Sequence, residues 1–207
     1  MDFNALATDT TLEKLIAALK ERNIEGRIVP SKEAALETIK ELIPKGASIM
    51  NGSSRTLDEV GFIEYLKAGQ HGWNNLHEGI LAEKDPQKQA ELRRQAILSD
   101  YYLGSVHAMT EAGELLIASN TGSQLPHIVY SSPNVIFVVS TKKIVPTLED
   151  AKQRLVEHVM PLEDIRMKEV YGPEAGTKLN KEVIFHGEAV FTGRKITVLL
   201  VEENLGF

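Results

Sequence analysis

The sequence predicts an α/β; three-layer fold with a mostly parallel central sheet covered by helices. Two observations carry that prediction. Amphipathic helical segments alternate with short apolar stretches along most of the chain, and Val135 to Val139 forms a continuous β-branched and aromatic run, the signature of a strand buried on both faces. Parallel strands need crossover connections, and the intervening helices supply both the crossover and the cover.

In chain order, Leu12, Leu15, Ile16 and Leu19 recur at helical spacing behind Asp9, Thr10 and Thr11, with Gly26 expected to end the segment. Ile28 and Val29 read as a strand, and Ser31 caps a helix with Leu36, Ile39, Leu42 and Ile43 on one face. Pro44, Lys45 and Gly46 make a turn into a strand at Ala47 to Asn51, after which Leu57, Val60, Ile63 and Leu66 restore the helical period. The stretch from Gly69 to Asn75 has no clear preference, and Asp85-Pro86 opens a helix through Leu92 and Ile97. Tyr101 to Met109 and Glu114 to Ala118 look extended, joined as a hairpin by Glu111-Ala112-Gly113. A loop at Ser119 to Ser123 precedes a helix through Tyr130, then comes the central strand at Val135 to Val139. Thr147 caps a helix with Leu148, Ala151, Leu155 and Val159, residues 161 to 182 lose apolar periodicity and read as loop, and Ile196 to Val201 is the last strand.

With 207 residues and 43% hydrophobic content, the expectation is a single domain over 1–207: N-terminal helices at about 1–45, core sheet at about 46–160, and an irregular tail with a final strand at about 161–207. Acidic residues outnumber basic ones, 29 to 23, so the net charge of -6 argues against nucleic acid as a partner. The opening residues Met1, Asp2, Phe3 and Asn4 lack the pattern of a secretory signal and no apolar run is long enough to span a membrane, so a cytoplasmic location is expected. The absence of cysteine removes disulfides, thiolate nucleophiles and cysteine-ligated metal centres.

Two stretches carry candidate chemistry. SIMNGSSRTLDEVGF sets Gly52, Ser53, Ser54 and Thr56 between a strand and a helix, where free amides and the helix dipole attract phosphate or carboxylate. The competing reading is an ordinary serine cap, and the lysine of a true P-loop is missing. GSVHAMTEAGELLIASNTGSQLP places Glu111 at one end of a strand and the polar loop Asn120, Thr121 and Gly122 at the other. Glu111 is the candidate catalytic carboxylate, able to relay protons if burial raises its pKa, whereas an exposed glutamate in a turn does nothing of the kind. Lys142, with Lys143, follows the central strand at its carboxyl end, where ligands gather in such folds, and Lys142 is the candidate cation. Six histidines, at positions 71, 77, 107, 127, 158 and 186, show no metal-ligand spacing; His107 and His127 could meet in the cleft, but solitary histidines usually sit partly exposed or hydrogen-bonded, and neither is a catalytic candidate. No cofactor and no metal are expected.

NGSSRTLDEVGF and the longer SDYYLGSVHAMTEAGELLIASNTGSQLPHIVYSSPNVIFVVSTKKIVPTLEDAKQRL resemble the signatures of the LUD-domain, or lactate-utilisation, family, in the same order and spacing. The ending GRKITVLLVEENLGF resembles the last strand of short family members. The resemblance implies a fold similar to the ribose-phosphate isomerase, glucosamine-phosphate deaminase and CoA-transferase group, with both candidate loops facing one cleft. It also implies an accessory role in oxidising lactate to pyruvate, beside a sister subunit that carries the iron–sulfur clusters. Residues 172–184, GPEAGTKLNKEVI, match neither the cysteine-rich insertion nor the GPS-x-TADIE stretch of some relatives.

Three functions stay open at this point, and whether the chain is an enzyme is open with them. It is an accessory protein binding a small anionic metabolite bearing phosphate or carboxylate, an isomerase- or transferase-like enzyme acting on a phosphorylated sugar or acyl-CoA, or a metabolite sensor without turnover.

Overall fold

A computed structural model describes residues 1–207. Ten strands follow in chain order: β1 (Glu25–Val29), β2 (Ser48–Asn51), β3 (Asn74–Asn75), β4 (Tyr101–Gly104), β5 (Ala108–Thr110), β6 (Leu115–Ser119), β7 (Asn134–Ser140), β8 (Ile144–Val145), β9 (Lys181–Phe185) and β10 (Lys195–Val201). The helices are α1 (Asp9–Glu21), α2 (Lys32–Leu42), α3 (Arg55–Glu59), α4 (Phe62–Lys67), α5 (Leu76–Ala82), α6 (Pro86–Gln95), α7 (Leu148–Arg154) and α8 (Met160–Tyr171). None is long and apolar enough to cross a membrane.

The main sheet has six strands, all parallel, in the order β1-β10-β7-β4-β2-β3. Its two middle strands explain its layers. Along β7, Val135, Phe137 and Val139 face the α1 side with Leu12, Leu15 and Leu19, while Ile136 and Val138 face the α2 to α4 side with Ile39, Leu57 and Phe62. Strand β10 repeats the alternation with Val198 and Leu200 on one side, Leu199 and Val201 on the other. Each fully buried aliphatic side chain contributes about 1.5–3 kcal/mol, so this two-sided burial fixes the register of the sheet.

A second, four-stranded sheet runs β8-β5-β6-β9 and mixes parallel and antiparallel pairs. Leu115 and Ile117 of β6 point back into the α1-side core, whereas Leu116 and Ala118 join Ala151, Leu155 and Val159 under α7. The small sheet is therefore clamped between the main sheet and α7.

Several expectations need correction. Helix α1 ends not at Gly26 but at Arg22, with Asn23 at φ 57, and Gly26 lies inside β1 where a Cβ would sit 2.7 Å from Ile16. The helix expected from Leu57 to Leu66 is two short ones, broken at Gly61 with φ 79. The extended run from Tyr101 to Met109 is two strands in different sheets, and only Ala108 onward forms the hairpin with β6. Instead of a regular helix through Tyr130, His127–Ser131 forms a wide π-type turn. The stretch from 161 is not loop throughout: α8 runs to Tyr171. It buries no residue, so it carries no apolar stripe to read, and it is supported instead by pairs such as Glu163–Arg166 and Asp164–Lys168. Pro161 cannot donate to the preceding turn, and the chain meets it with a π-turn at Leu155–Val159 that joins α7 to α8.

Candidate functional site

At the carboxyl ends of the parallel strands, the chain leaves β2 outward to β3 and returns as β4 on the other flank of β2. Such a reversal opens a crevice between the two strand ends, where open α/β sheets bind their ligands. The segments that follow β2, β4, β7 and β10 all meet there.

Lys143 is the centre of that meeting. It follows β7 in a 3-10 turn, 4% exposed, and its Nζ donates to Thr56 Oγ1 at 3.0 Å, Ser105 Oγ at 3.1 Å and the Val106 carbonyl at 3.2 Å. Burial, with the charges of Arg154 and Lys142 beside it and only part of the penalty offset by Glu59, lowers its pKa to about 7. The amine is thus poised to gain or lose a proton near neutrality. Lys142 is also buried, and its Nζ donates to Asn204 Oδ1 at 2.6 Å and the Gly206 carbonyl at 2.7 Å. Burial lowers its pKa as well, with Arg154 acting in the same direction.

The segment after β10 lies across this cluster. Gly206 donates its amide to Glu59 Oε2 at 2.7 Å, and a Cβ there would collide with Thr56 Oγ1 and approach Lys143 Nζ to 3.0 Å. Glycine is needed at 206 for that close approach and for its φ of 66. Ser140, the last residue of β7, donates its hydroxyl to the Glu203 carbonyl.

The first candidate loop behaves differently from its sequence-level reading. Thr56 is 1% exposed and bonded to Lys143, while Ser54 caps α3 by accepting from the Leu57 amide at 3.3 Å and Ser53 is exposed. The Gly52 amide already donates to the Leu103 carbonyl at 3.1 Å. Helix α3 spans only Arg55–Glu59, so the long-helix dipole expected here is absent. What the loop brings to the crevice is the Thr56 hydroxyl.

The second loop touches the first through one residue. Gln124 Oε1 lies 3.4 Å from the position a Gly52 Cβ would take, beside the Tyr102 hydroxyl. Asn120, Thr121 and Gly122 face away: Asn120 accepts from Asn180 Nδ2 at 2.7 Å and from Lys181 Nζ at 3.3 Å, and the Lys181 stem packs on Gly122 at φ 85. Glu111 does not join either loop. It is exposed in the turn before β6, at the strand end opposite Ser119, and only its amide is engaged, with the Val145 carbonyl at 2.9 Å. The neighbouring Gly113 packs on Arg22 at the end of α1. The separation follows from the hairpin itself, whose turn and whose far loop stand at the two ends of β6.

His107 and His127 are also kept apart, at opposite ends of β4. His127 sits among Ser99 and Ser132 with its ring stacked 4.9 Å from Tyr102, and burial lowers its pKa to about 4. His107 accepts from the Ala118 amide through Nδ1 at 3.0 Å, and burial together with Lys143 and Arg154 lowers its pKa to about 3. No group of three or more His, Asp or Glu side chains is arranged to hold a metal ion.

Two residues outside the candidate set complete the cluster: Lys143, named only as the neighbour of Lys142, and Arg154, which lies inside a helix with nothing local to single it out. Arg154 is 0% exposed and its Nη1 donates to the His107 carbonyl at 2.5 Å. The signal that could have found it is its position three residues after Ala151 and one before Leu155, on the apolar face of α7. A cavity of about 420 Å³ opens at the amino end of the sheet between Ile16, Lys20 and Lys195, but no comparable set of buried polar groups converges on it.

The model of the LUD domain family matches residues 12–171 of this chain. A comparison with curated protein sequences yields no match. The fold is similar to the crystal structure of a DUF162 family protein from Deinococcus radiodurans, with a TM-score of 0.56 and 15% sequence identity over 95% of this chain and 99% of that one.

Proposed function

The chain belongs to the LUD-domain family and is in that sense related to the lactate-utilisation proteins; on that premise we propose that it binds a small anionic metabolite in the crevice between β2 and β4. The observation that carries the proposal is the buried cationic cluster of Lys142, Lys143 and Arg154 at the sheet's reversal point, where Glu59 is the acidic group that opposes Lys143. Concentrated positive charge of this kind, held out of water, favours an anion far more than the same residues would on the surface.

The reading gives each group a role. Thr56 and Ser105 position Lys143, Lys143 supplies the charge and an exchangeable proton, and the strap from Glu203 to Phe207 lies across the cluster, tied to Glu59 and Lys142 through Gly206. If lactate oxidation in the system this protein serves uses a cysteine-ligated iron–sulfur cluster, a partner carries it, because the chain has no cysteine. The isomerase- or transferase-like alternative leaned on Glu111 and gains nothing from an exposed turn. Lys143 is the better-placed proton carrier should turnover exist.

The test is ligand-dependent melting with L-lactate, pyruvate and inorganic phosphate. An anion present at about 100 times its Kd stabilises the folded protein by about 2.7 kcal/mol. We expect such a rise for the wild-type chain and its loss in Lys143→Met. Equal rises in both proteins would remove the crevice from consideration.

A further inference from the structure

Arg154 is a buried guanidinium with an unused edge. Its single hydrogen bond is the one from Nη1 to the His107 carbonyl, whereas Nε and Nη2, both shielded from water, have no partner. No acidic side chain pairs with it, and Lys142 and Lys143 are cations whose protonation it disfavours. Buried polar groups in folded proteins are almost always satisfied, and a buried charge is almost always paired. One helical turn further on, His158 repeats the pattern: its Nε2 is buried without a partner. The same side chain covers both, because the Phe3 ring lies 5.9 Å from the Arg154 guanidinium and 5.6 Å from the His158 ring. Three of the unpartnered buried polar atoms thus belong to two side chains that flank the one Phe3 ring.

The orphan edge also specifies the ligand. Nε–H and Nη2–H of arginine are parallel donors, spaced to meet the two oxygens of one carboxylate, and a lysine cannot reproduce that fork. We propose that Arg154 anchors the carboxylate of a small monocarboxylic acid through this edge, with His158 as the second polar contact and Phe3 closing over the bound molecule. The assignment rests on the crevice reading above, since Arg154 belongs to the same cationic cluster as Lys143, and it narrows the ligand class from anions to carboxylates.

Entry runs past residues 1–7. That segment makes one long-range hydrogen bond, from Asn204 Nδ2 to the Asn4 carbonyl at 3.4 Å, so Phe3 is held mainly by packing.

The test reads the arginine directly. In 15N-labelled wild-type protein, the Arg154 Nε–H resonance, identified by its absence from Arg154→Lys, is followed while acetate, L-lactate, pyruvate or inorganic phosphate is added. The resonance is expected to move with at least one of the carboxylates, and Arg154→Lys, which keeps the charge but not the fork, is expected to bind that carboxylate at least about tenfold more weakly. A resonance unmoved by all three carboxylates, movement with phosphate alone, or unchanged affinity in Arg154→Lys would each overturn the assignment. Lys143→Met separates the two readings. Binding lost in Lys143→Met but kept in Arg154→Lys leaves the crevice standing and removes Arg154 as anchor, and the reverse result keeps Arg154 as anchor within the cluster and removes Lys143 from the ligand contacts.

Discussion

Arg194 and Arg154 are both withdrawn from water, yet they are treated in opposite ways. Arg194, just before β10, spends its whole guanidinium: Nη1 pairs with Glu188 at 2.5 Å, Nε donates to the Ser132 carbonyl at 3.0 Å, and Nη2 donates to the carbonyls of His127 and Ile128 at 3.0 and 2.8 Å. Both side chains of that pair are 7% exposed. Arg154 has one bond, no carboxylate and two idle nitrogens. The first arrangement is that of a staple, which ties the π-type turn at His127–Ser131 to the start of β10 at the amino end of the sheet. The second is that of a charge retained against its own stability, as expected where binding and not folding set the requirement.

The largest effect should come from cutting the staple. Arg194→Met leaves Glu188 buried without its partner and strips three carbonyls, and breaking a buried pair in this way costs about 3–5 kcal/mol. Chemical denaturation should register it as a lower midpoint with unchanged slope. Arg154→Met should move stability the other way or leave it unchanged, because a buried charge without a counter-ion opposes folding and an apolar side chain of similar volume removes that penalty. Differential scanning calorimetry of the two variants side by side tests the contrast, and a large loss in Arg154→Met would mean that the guanidinium is a staple as well.

That contrast also marks what a sequence can disclose. The β7 run and the caps at Ser31, Asp85 and Thr147 were legible because local chemistry dictates them: β-branched residues buried on both faces, and side-chain oxygens accepting from the first helical amides. The candidate site was legible only as a neighbourhood. Thr56 and Lys142 do reach the crevice, but so do Lys143 and Arg154, and nothing local distinguishes a lysine pair that will be buried from one that will be solvated. Asn120 to Gly122 looked like a ligand loop and serves β9, because the polar groups of a loop can be satisfied by a strand about sixty residues away as readily as by a ligand. Helix α8 escaped because a helix that buries nothing leaves no periodic trace.

Lys143 sharpens the comparison through pH. In the unfolded chain it keeps its proton to about 10.5, whereas in the folded protein it gives it up above about 7, so between those values the unfolded state binds more protons and stability rises with pH. Wild-type protein should therefore gain on Lys143→Met by up to about 1.4 kcal/mol per pH unit across that window. Urea titrations of both proteins at successive pH values would show it, and parallel curves would mean that the amine stays charged in the fold.

At the other end of β4, His127 has the same sign of dependence in a lower window. Its folded pKa of about 4 lies below the unfolded 6.5, so as pH falls through that interval the unfolded chain takes up a proton that the folded one refuses, and stability drops. His127→Asn should flatten the acid limb of the melting-temperature profile relative to wild type. His107, with a folded pKa of about 3, leaves a residual slope in the variant.

The smallest effect belongs to the residue that residue type alone made most suggestive. Glu111 is exposed, its side chain makes no hydrogen bond or ion pair, and its turn is held by backbone contacts, by Gly113 at φ 89 and by Arg22 Nε donating to the Ala112 carbonyl. Glu111→Gln removes a solvated charge and little else, so its effect on stability should stay within about 0.5 kcal/mol. Anion binding should be untouched, because β6 stands between that turn and Ser119, and the Lys143 crevice makes its hydrogen bonds with Thr56, Ser105 and Val106. A shift in ligand affinity on Glu111→Gln would place the acidic turn back in the site and require the hairpin to move when ligand binds.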